Sequence, residues 1–83
     1  MFDFKERIII KDRGSLVFNF IKIHKVEGAD YFITVEEPAN SISFRMRWKK
    51  QEWKIVDAPK VPDWIMEVEE VLSEIIKKID YQA

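Results

Sequence analysis

Cysteine is absent from this chain of 83 residues, and histidine occurs once, as His24. The lack of cysteine excludes disulfide bonds, thiolate metal ligands and a cysteine nucleophile, and it is typical of proteins in reducing compartments. No cluster of carboxylates surrounds His24 in the sequence at the spacing of a metal site or a catalytic dyad. We therefore expect no catalytic residues, no metal site and no cofactor, and hence no enzymatic activity.

Long apolar runs and glycine-rich loops are missing as well. No stretch approaches the roughly twenty apolar residues that span a bilayer, and residues 1–6 lack the pattern of a signal peptide. Gly14 and Gly28 stand alone, which excludes a phosphate-cradling loop. We expect a cytoplasmic protein that makes no contact with membranes.

Neither sign of charge dominates, because the chain has 14 Lys and Arg residues and 15 Asp and Glu residues, which gives a net charge of -1. Such a balance creates no global field toward nucleic acid, so binding of a polyanion would need a local patch. Hydrophobic residues make up 47% of the chain and aromatic residues 13%, which is enough for an ordered core. The length predicts one compact domain over residues 1–83.

Apolar and polar residues alternate along most of the chain before Pro59, as in half-buried antiparallel strands. The clearest case is the hairpin from Ser41 to Asp57, with a four-residue loop at residues 49–52. The expected strands cover residues 2–12, 15–26, 30–37, 41–49 and 52–57. The apolar side of the last two strands, which we expect in the core, consists of Ile42, Phe44, Met46, Trp48, Trp53 and Ile55.

The turns set the expected register of these strands. The first turn contains Gly14, which supplies a positive φ angle, and the second contains Gly28. In the second strand the apolar residues change from even to odd positions, and a bulge near Asn19 and Phe20 would keep both sets on one face. The expected cross-strand pairs are Ile10 with Leu16, Ile8 with Phe18, Ile23 with Ile33, Ile21 with Val35, Val35 with Ile42, Ile33 with Phe44, and Tyr31 with Met46.

One amphipathic helix is expected over residues 63–80, after a proline-containing connector at residues 58–62 that ends the sheet. Asp63 is its predicted cap, and Glu74 and Lys78 have the spacing of an ion pair. The apolar stripe of the helix consists of Trp64, Ile65, Val68, Val71, Leu72, Ile75, Ile76 and Ile79. These patterns predict an α+β fold, in which a twisted five-stranded antiparallel β-meander packs one C-terminal helix on one face.

The sheet face away from the helix is expected to expose an apolar patch. The predicted register places Ile9, Phe20, Phe32 and Val56 on that face, next to Val17. A patch of this kind marks a protein partner or a second subunit more often than a small-molecule site. The first hypothesis is therefore a non-catalytic module that forms homo-oligomers or binds a protein partner.

The same face also carries basic residues, which supports a second hypothesis. The candidate anion-binding residues are Arg45, Arg47, Lys49 and Lys54. With Phe32 as a stacking ring, beside His24 in the expected row, they would bind nucleic acid or another anionic ligand. Alternatively, Asp30, Glu36 and Glu52 neutralise these cations on a solvated surface.

The three tryptophans, Trp48, Trp53 and Trp64, support a third and weaker hypothesis. They would either line a small-molecule pocket where the last hairpin meets the helix, or form a corner of the core. The segment 53–57, after a strand that ends at Trp48, resembles the closing strands of NTF2-like proteins, which are cone-shaped α+β proteins with a pocket. The chain differs from that family because it lacks the N-terminal helices of the cone and adds a helix after the hairpin. No pocket residue or activity of the family can be assigned to a position in this sequence.

Overall fold

A five-stranded antiparallel sheet followed by two helical segments forms the fold. The computed structural model describes residues 3–26, 28–36, 41–56 and 61–82. The elements are β1 (Asp3–Ile10), β2 (Gly14–Lys25), β3 (Gly28–Glu36), β4 (Ser41–Lys49), β5 (Glu52–Ile55), α1 (Asp63–Met66) and α2 (Glu69–Gln82). The strands lie in the sheet in chain order, so the predicted α+β meander is confirmed.

The core lies between the helices and one face of the sheet. Ile65 of α1 and Leu72 and Ile76 of α2 are fully buried in the same cluster as the inward side chains of the strands. We call this side the covered face; its buried strand residues are Ile8, Ile10, Phe18, Phe20, Tyr31, Ile33, Val35, Phe44, Met46, Trp53 and Ile55. The opposite side is the open face, which carries Val17, Asn19, Ile21, Phe32, Thr34, Ser43, Arg45 and Lys54.

The register of β3, β4 and β5 agrees with the prediction. Ile33 pairs with Phe44, Tyr31 with Met46, and Trp48 with Trp53. The last hairpin is tighter than expected, because the residues at its base, 49 and 52, are themselves paired. Its two-residue turn is Lys50 and Gln51, which have φ angles of 49° and 68°. Both residues thus adopt the left-handed conformation that a two-residue hairpin turn requires.

The predicted register of β1 with β2 is wrong by two residues. Ile10 pairs with Gly14 rather than with Leu16, because the turn between the two strands contains only residues 11–13. Asp12 takes a φ angle of 67° and Gly14 one of 78°, and the N–H of Arg13 donates to the carbonyl of Ile10 at 3.0 Å. A shift by an even number of residues leaves each side chain on its predicted face, so Ile8 and Ile10 remain in the core.

The predicted register of β2 with β3 is wrong by three residues, and this shift exchanges the faces of β2 after the expected bulge, whereas Phe18 keeps its predicted place in the core. Ile23 pairs with Asp30 instead of Ile33, and Phe20 pairs with Ile33. The pairing is continuous along the described length of β2, so the bulge expected near Asn19 is not formed. Phe18 and Phe20 both enter the core, while Ile21 and Ile23 lie on the open face.

The expected single helix is interrupted by a turn at Glu67 and Val68, between α1 and α2. Pro62 occupies the cap position of α1 without a side-chain hydrogen bond, so Asp63 is the first helical residue and not its cap. Val71, which the sequence placed in the apolar stripe, is exposed. Parts of the prediction lie outside the described residues, namely Phe2, the turn residues 37–40 and the connector residues 57–60.

The edge of the sheet at β5 is closed by side chains of α2. The backbone N–H of Trp53 donates to Oγ of Ser73 at 3.0 Å, and that of Ile55 donates to Oε2 of Glu69 at 2.8 Å. The Ser73 hydroxyl, which is buried, in turn donates to the Glu52 carboxylate at 3.0 Å. These contacts use backbone donors that another strand would otherwise pair with.

Candidate functional site: the basic end of the sheet

Charge is separated along the direction of the strands. α2 follows β5 from Glu69, near Ile55, to Lys77, near Glu52, and so approaches the end of the sheet where β2 and β4 finish. We call that region the basic end; its cations are Lys22, Lys25, Arg47, Lys49, Lys50, Lys77 and Lys78. Its described carboxylates are Asp30, Glu52 and Glu74.

Each of these carboxylates is bound to a cation. Asp30 is buried, and its carboxylate accepts hydrogen bonds from Lys25 at 3.0 Å and from Arg47 at 3.1 and 3.2 Å. The hydrogen bond from Arg47, followed by that from Lys25, holds the pKa of Asp30 below its ordinary value against the effect of burial. Glu52 pairs with Lys77 at 3.1 Å, which lowers the pKa of the acid and raises that of the lysine. The described acids of this end are thereby compensated, and its described cations outnumber them.

The opposite region, the acidic end, contains the first turn of the sheet, the end of β3, α1 and the start of α2. Its described acids are Asp12, Glu36, Asp63, Glu67, Glu69 and Glu70, and its described cations are Arg7, Lys11 and Arg13, with Lys54 next to the acids of the helical segments. The guanidinium of Arg13 lies 4.3 Å from the ring centre of Trp64, so Trp64 belongs to this end. Among the described residues, the small net charge of the chain therefore conceals an asymmetry of charge between the two ends.

Exposed apolar side chains are also concentrated at the basic end. Ile23, Val26 and Trp48 lie there, and Val26 sits beyond the end of β2, fully exposed. Trp48 is 48% exposed, which corrects its expected place in the core. Its ring meets that of buried Trp53 edge to face, with centroids 5.5 Å apart. The basic end thus combines an accessible indole with several lysines.

A groove of about 870 Å³ opens between α2 and this end of the sheet. Trp48 and Trp53 line it, but Trp64 does not, so the structure brings together two of the three tryptophans predicted to form a pocket. His24 also faces this groove on the helix side of the sheet, and not the open face where the sequence placed it.

The residues predicted to form an apolar partner-binding patch are separated. Phe20 is fully buried in the covered face, because the actual register of β2 turns it inward. Phe32 and Val56 are half-buried on the open face, at the level of Asp3. Ile9 is 82% exposed but pairs with Ser15 near the first turn, at the other end of β1. These four side chains do not make a continuous surface.

The predicted anion-binding residues keep their expected neighbours. Phe32 pairs with Arg45, and Arg47 lies opposite Lys54. Arg47 also forms an ion pair with Asp30, as the alternative of a neutralised, solvated surface anticipated. Glu36 receives a hydrogen bond from Asn19 at 2.6 Å. The sequence alone did not single out the further cations of the basic end, which are Lys22, Lys25, Lys50, Lys77 and Lys78. Their positions next to turns and in the last turns of the helix were a usable signal, but only once the direction of α2 was known.

No family model, no curated protein and no solved structure matches this chain. Among the described residues there is no group of three or more His, Asp or Glu side chains that would hold a metal ion. No helix in the part of the chain that the structure describes is long and apolar enough to cross a membrane. The geometry of the basic end is therefore the basis for a functional proposal.

Proposed function

We propose that this protein is a non-catalytic module that binds single-stranded nucleic acid through its basic end. The observation that carries the proposal is the coincidence of the excess cations with the exposed indole of Trp48. Basic side chains attract the phosphate backbone, and an aromatic ring stacks on any base, so the two features together recognise an unpaired strand.

The acidic surface of α2 argues against a duplex as the ligand. Proteins that read duplex DNA commonly insert a helix or a two-stranded ribbon into the major groove. The exposed side of the helical segments carries Glu67 and Glu70, which would repel phosphates. The lysines instead flank the ends of the strands, where a flexible single strand can bend around the indole.

Fluorescence anisotropy of a labelled oligothymidylate tests this function. We expect binding that weakens steeply between about 50 and 200 mM salt, because bound phosphates release counterions from the strand. Lys50→Gln should weaken binding several-fold and reduce the salt slope by about 0.7, the value for one contact with a single strand. Lys11→Gln is the matched control, since Lys11 is an exposed lysine in a hairpin turn at the acidic end. Absence of binding at low salt, or equal losses in both variants, would refute the proposal.

A second candidate function is head-to-tail self-association, which the complementary charges of the two ends favour. The acidic end of one copy, with Glu67, Glu70 and the exposed Val71, would dock on the basic end of another. Such a heterologous contact forms rings or open chains rather than a closed dimer. Light scattering after size exclusion should then show a mass that rises with protein concentration at low salt and falls at high salt. A constant monomer mass under both conditions would exclude it.

A further inference from the structure

We infer that the groove between α2 and the basic end of the sheet holds one unpaired nucleotide of the bound strand, with its base against Trp48 and its phosphate among the lysines. The inference rests on the proposed function and assigns a specific place to one unit of the ligand. The groove volume of about 870 Å³ is within the roughly 300–1,000 Å³ typical of sites for small molecules.

The aromatic wall of the groove is held rigidly. Trp53 is buried and meets Tyr31 on one side, with ring centroids 5.0 Å apart at 81°, and Trp48 on the other, 5.5 Å apart at 64°. Its backbone N–H is fixed by Ser73 of α2. Trp48 thus rests on an ordered ring while about half of its own surface stays accessible. A base that stacks on it would meet a surface already in position, which lowers the entropic cost of binding.

Lysines line the groove from both sides. Lys22 reaches it from β2, and Lys77 and Lys78 reach it from α2, where Glu74 also lines it. Lys77 is oriented by Glu52 at 3.1 Å and by Glu74 at 3.4 Å, so its charge has a defined position. A phosphate between these walls would accept charge-assisted hydrogen bonds from ammonium groups, while the base occupies the aromatic side.

Small residues keep the floor of the groove open. Gly28 and Ala29 line it at the start of β3, and a Cβ added at Gly28 would meet no atom of the described chain within 4 Å. Ala29 pairs with His24 across the strands and is only half-buried. A larger side chain at position 29 would therefore enter the groove without a change in the core.

Tryptophan fluorescence with adenosine monophosphate, and with ribose 5-phosphate as the phosphate without a base, tests this site. We expect the nucleotide, but not the sugar phosphate, to quench the emission and to displace the labelled oligothymidylate. Trp48→Leu should lose most of the quenching, because Trp53 is buried and Trp64 lies at the acidic end. Ala29→Leu should abolish nucleotide binding and weaken oligothymidylate about tenfold, the loss expected from one stacked base, whereas Ala29→Ser should match wild type.

The outcomes separate this inference from the function on which it rests. If oligothymidylate binds but the nucleotide neither quenches nor competes, the groove is not the nucleotide site, although the proposed function stands. If the nucleotide binds and oligothymidylate does not, the groove inference survives as a mononucleotide site and the proposed function fails. If Ala29→Leu lowers stability, Lys78→Glu is the second variant, because Lys78 is at an exposed position of α2. Lys78→Glu should weaken nucleotide binding, and an unchanged nucleotide affinity would overturn the inference.

Discussion

The covered face and the open face belong to the same strands but depend on different interactions. On the covered face, side chains such as Ile33 and Met46 are completely buried in the core that the helices share. On the open face, polar pairs connect neighbouring strands, as between Thr34 and Ser43 at 3.2 Å or between Arg47 and Asp30. Burial on the covered face therefore contributes most of the stability. Charged residues on the open face and at the strand ends can differ without a large effect on folding.

The largest expected effect is at Leu72, and the exposed residue next to it in α2 serves as the comparison between buried and exposed positions. Leu72→Asp would bury an unpaired carboxylate at a site with no exposure, at a cost of several kcal/mol against a total stability of about 5–15 kcal/mol. We expect this variant to be largely unfolded by circular dichroism. Val71→Asp, at the exposed neighbouring residue, should stay within about 0.5 kcal/mol of wild type. A cooperative melt near wild type for Leu72→Asp would contradict the packing of α2 on the sheet.

Asp30 is the exception on the open face, because it is a buried charge that contributes to stability. Its folded-state pKa is depressed, so the unfolded chain takes up the proton first as the pH falls. The ion pairs of Asp30 thus stabilise the protein above the ordinary pKa of 3.8, and that contribution is lost as the pH falls through the lower folded value. Asp30→Asn should cost about 1.5–3 kcal/mol at neutral pH, measured by urea unfolding. The difference from wild type should shrink in acid; a difference independent of pH would show that the charge is not responsible.

A smaller effect is expected at the contact between α2 and β5. Ser73→Ala would leave the buried N–H of Trp53 without its acceptor, at a cost of about 1–2 kcal/mol in the free energy of unfolding. Ser43→Ala removes a hydroxyl of the same kind from the exposed pair with Thr34, and water can replace it. The second variant should therefore change the urea midpoint little. Equal losses in the two variants would mean that the faces do not differ as described.

The smallest effect concerns the turn of the last hairpin. Gln51 has a φ angle of 68°, a conformation that disfavours side chains with a Cβ and that glycine adopts without penalty. Gln51→Gly should therefore raise the free energy of unfolding by about 1 kcal/mol. Lys49→Gly, in the adjacent strand, should have the opposite sign. Destabilisation by both changes would indicate that the turn has another conformation.

The strand register could be predicted where a single pairing satisfied both the turn and the alternation of apolar and polar residues. From Tyr31 to Ile55 only one pairing keeps the apolar residues on a single face, and the structure has that pairing. β2 is different, because Phe18 and Phe20 on one side and Ile21 and Ile23 on the other are all apolar. The choice between these sets depends on which side the helices cover, and no local pattern in β2 contains that information.

The candidate site was predictable to a similar extent. Arg47, Trp48 and Lys49 were recognised because they follow each other in a clear strand. Their grouping with Lys25 and Lys78 depends on the β2–β3 register and on the path of α2, which are both tertiary properties. The register error also sent Phe20 to the wrong face: Phe20 is buried in the core, and Ile21 is the residue that pairs with Phe32 on the open face.

The closure of β5 by Ser73 and Glu69 has a consequence for the order in which the protein forms. The helix follows the sheet in the chain, so during synthesis the edge of β5 exists before the side chains that cap it. Until α2 docks, the donors of Trp53 and Ile55 are available to any other strand, including the same edge of a neighbouring nascent chain. We therefore expect helix docking to remove an edge at which the unfinished protein could aggregate.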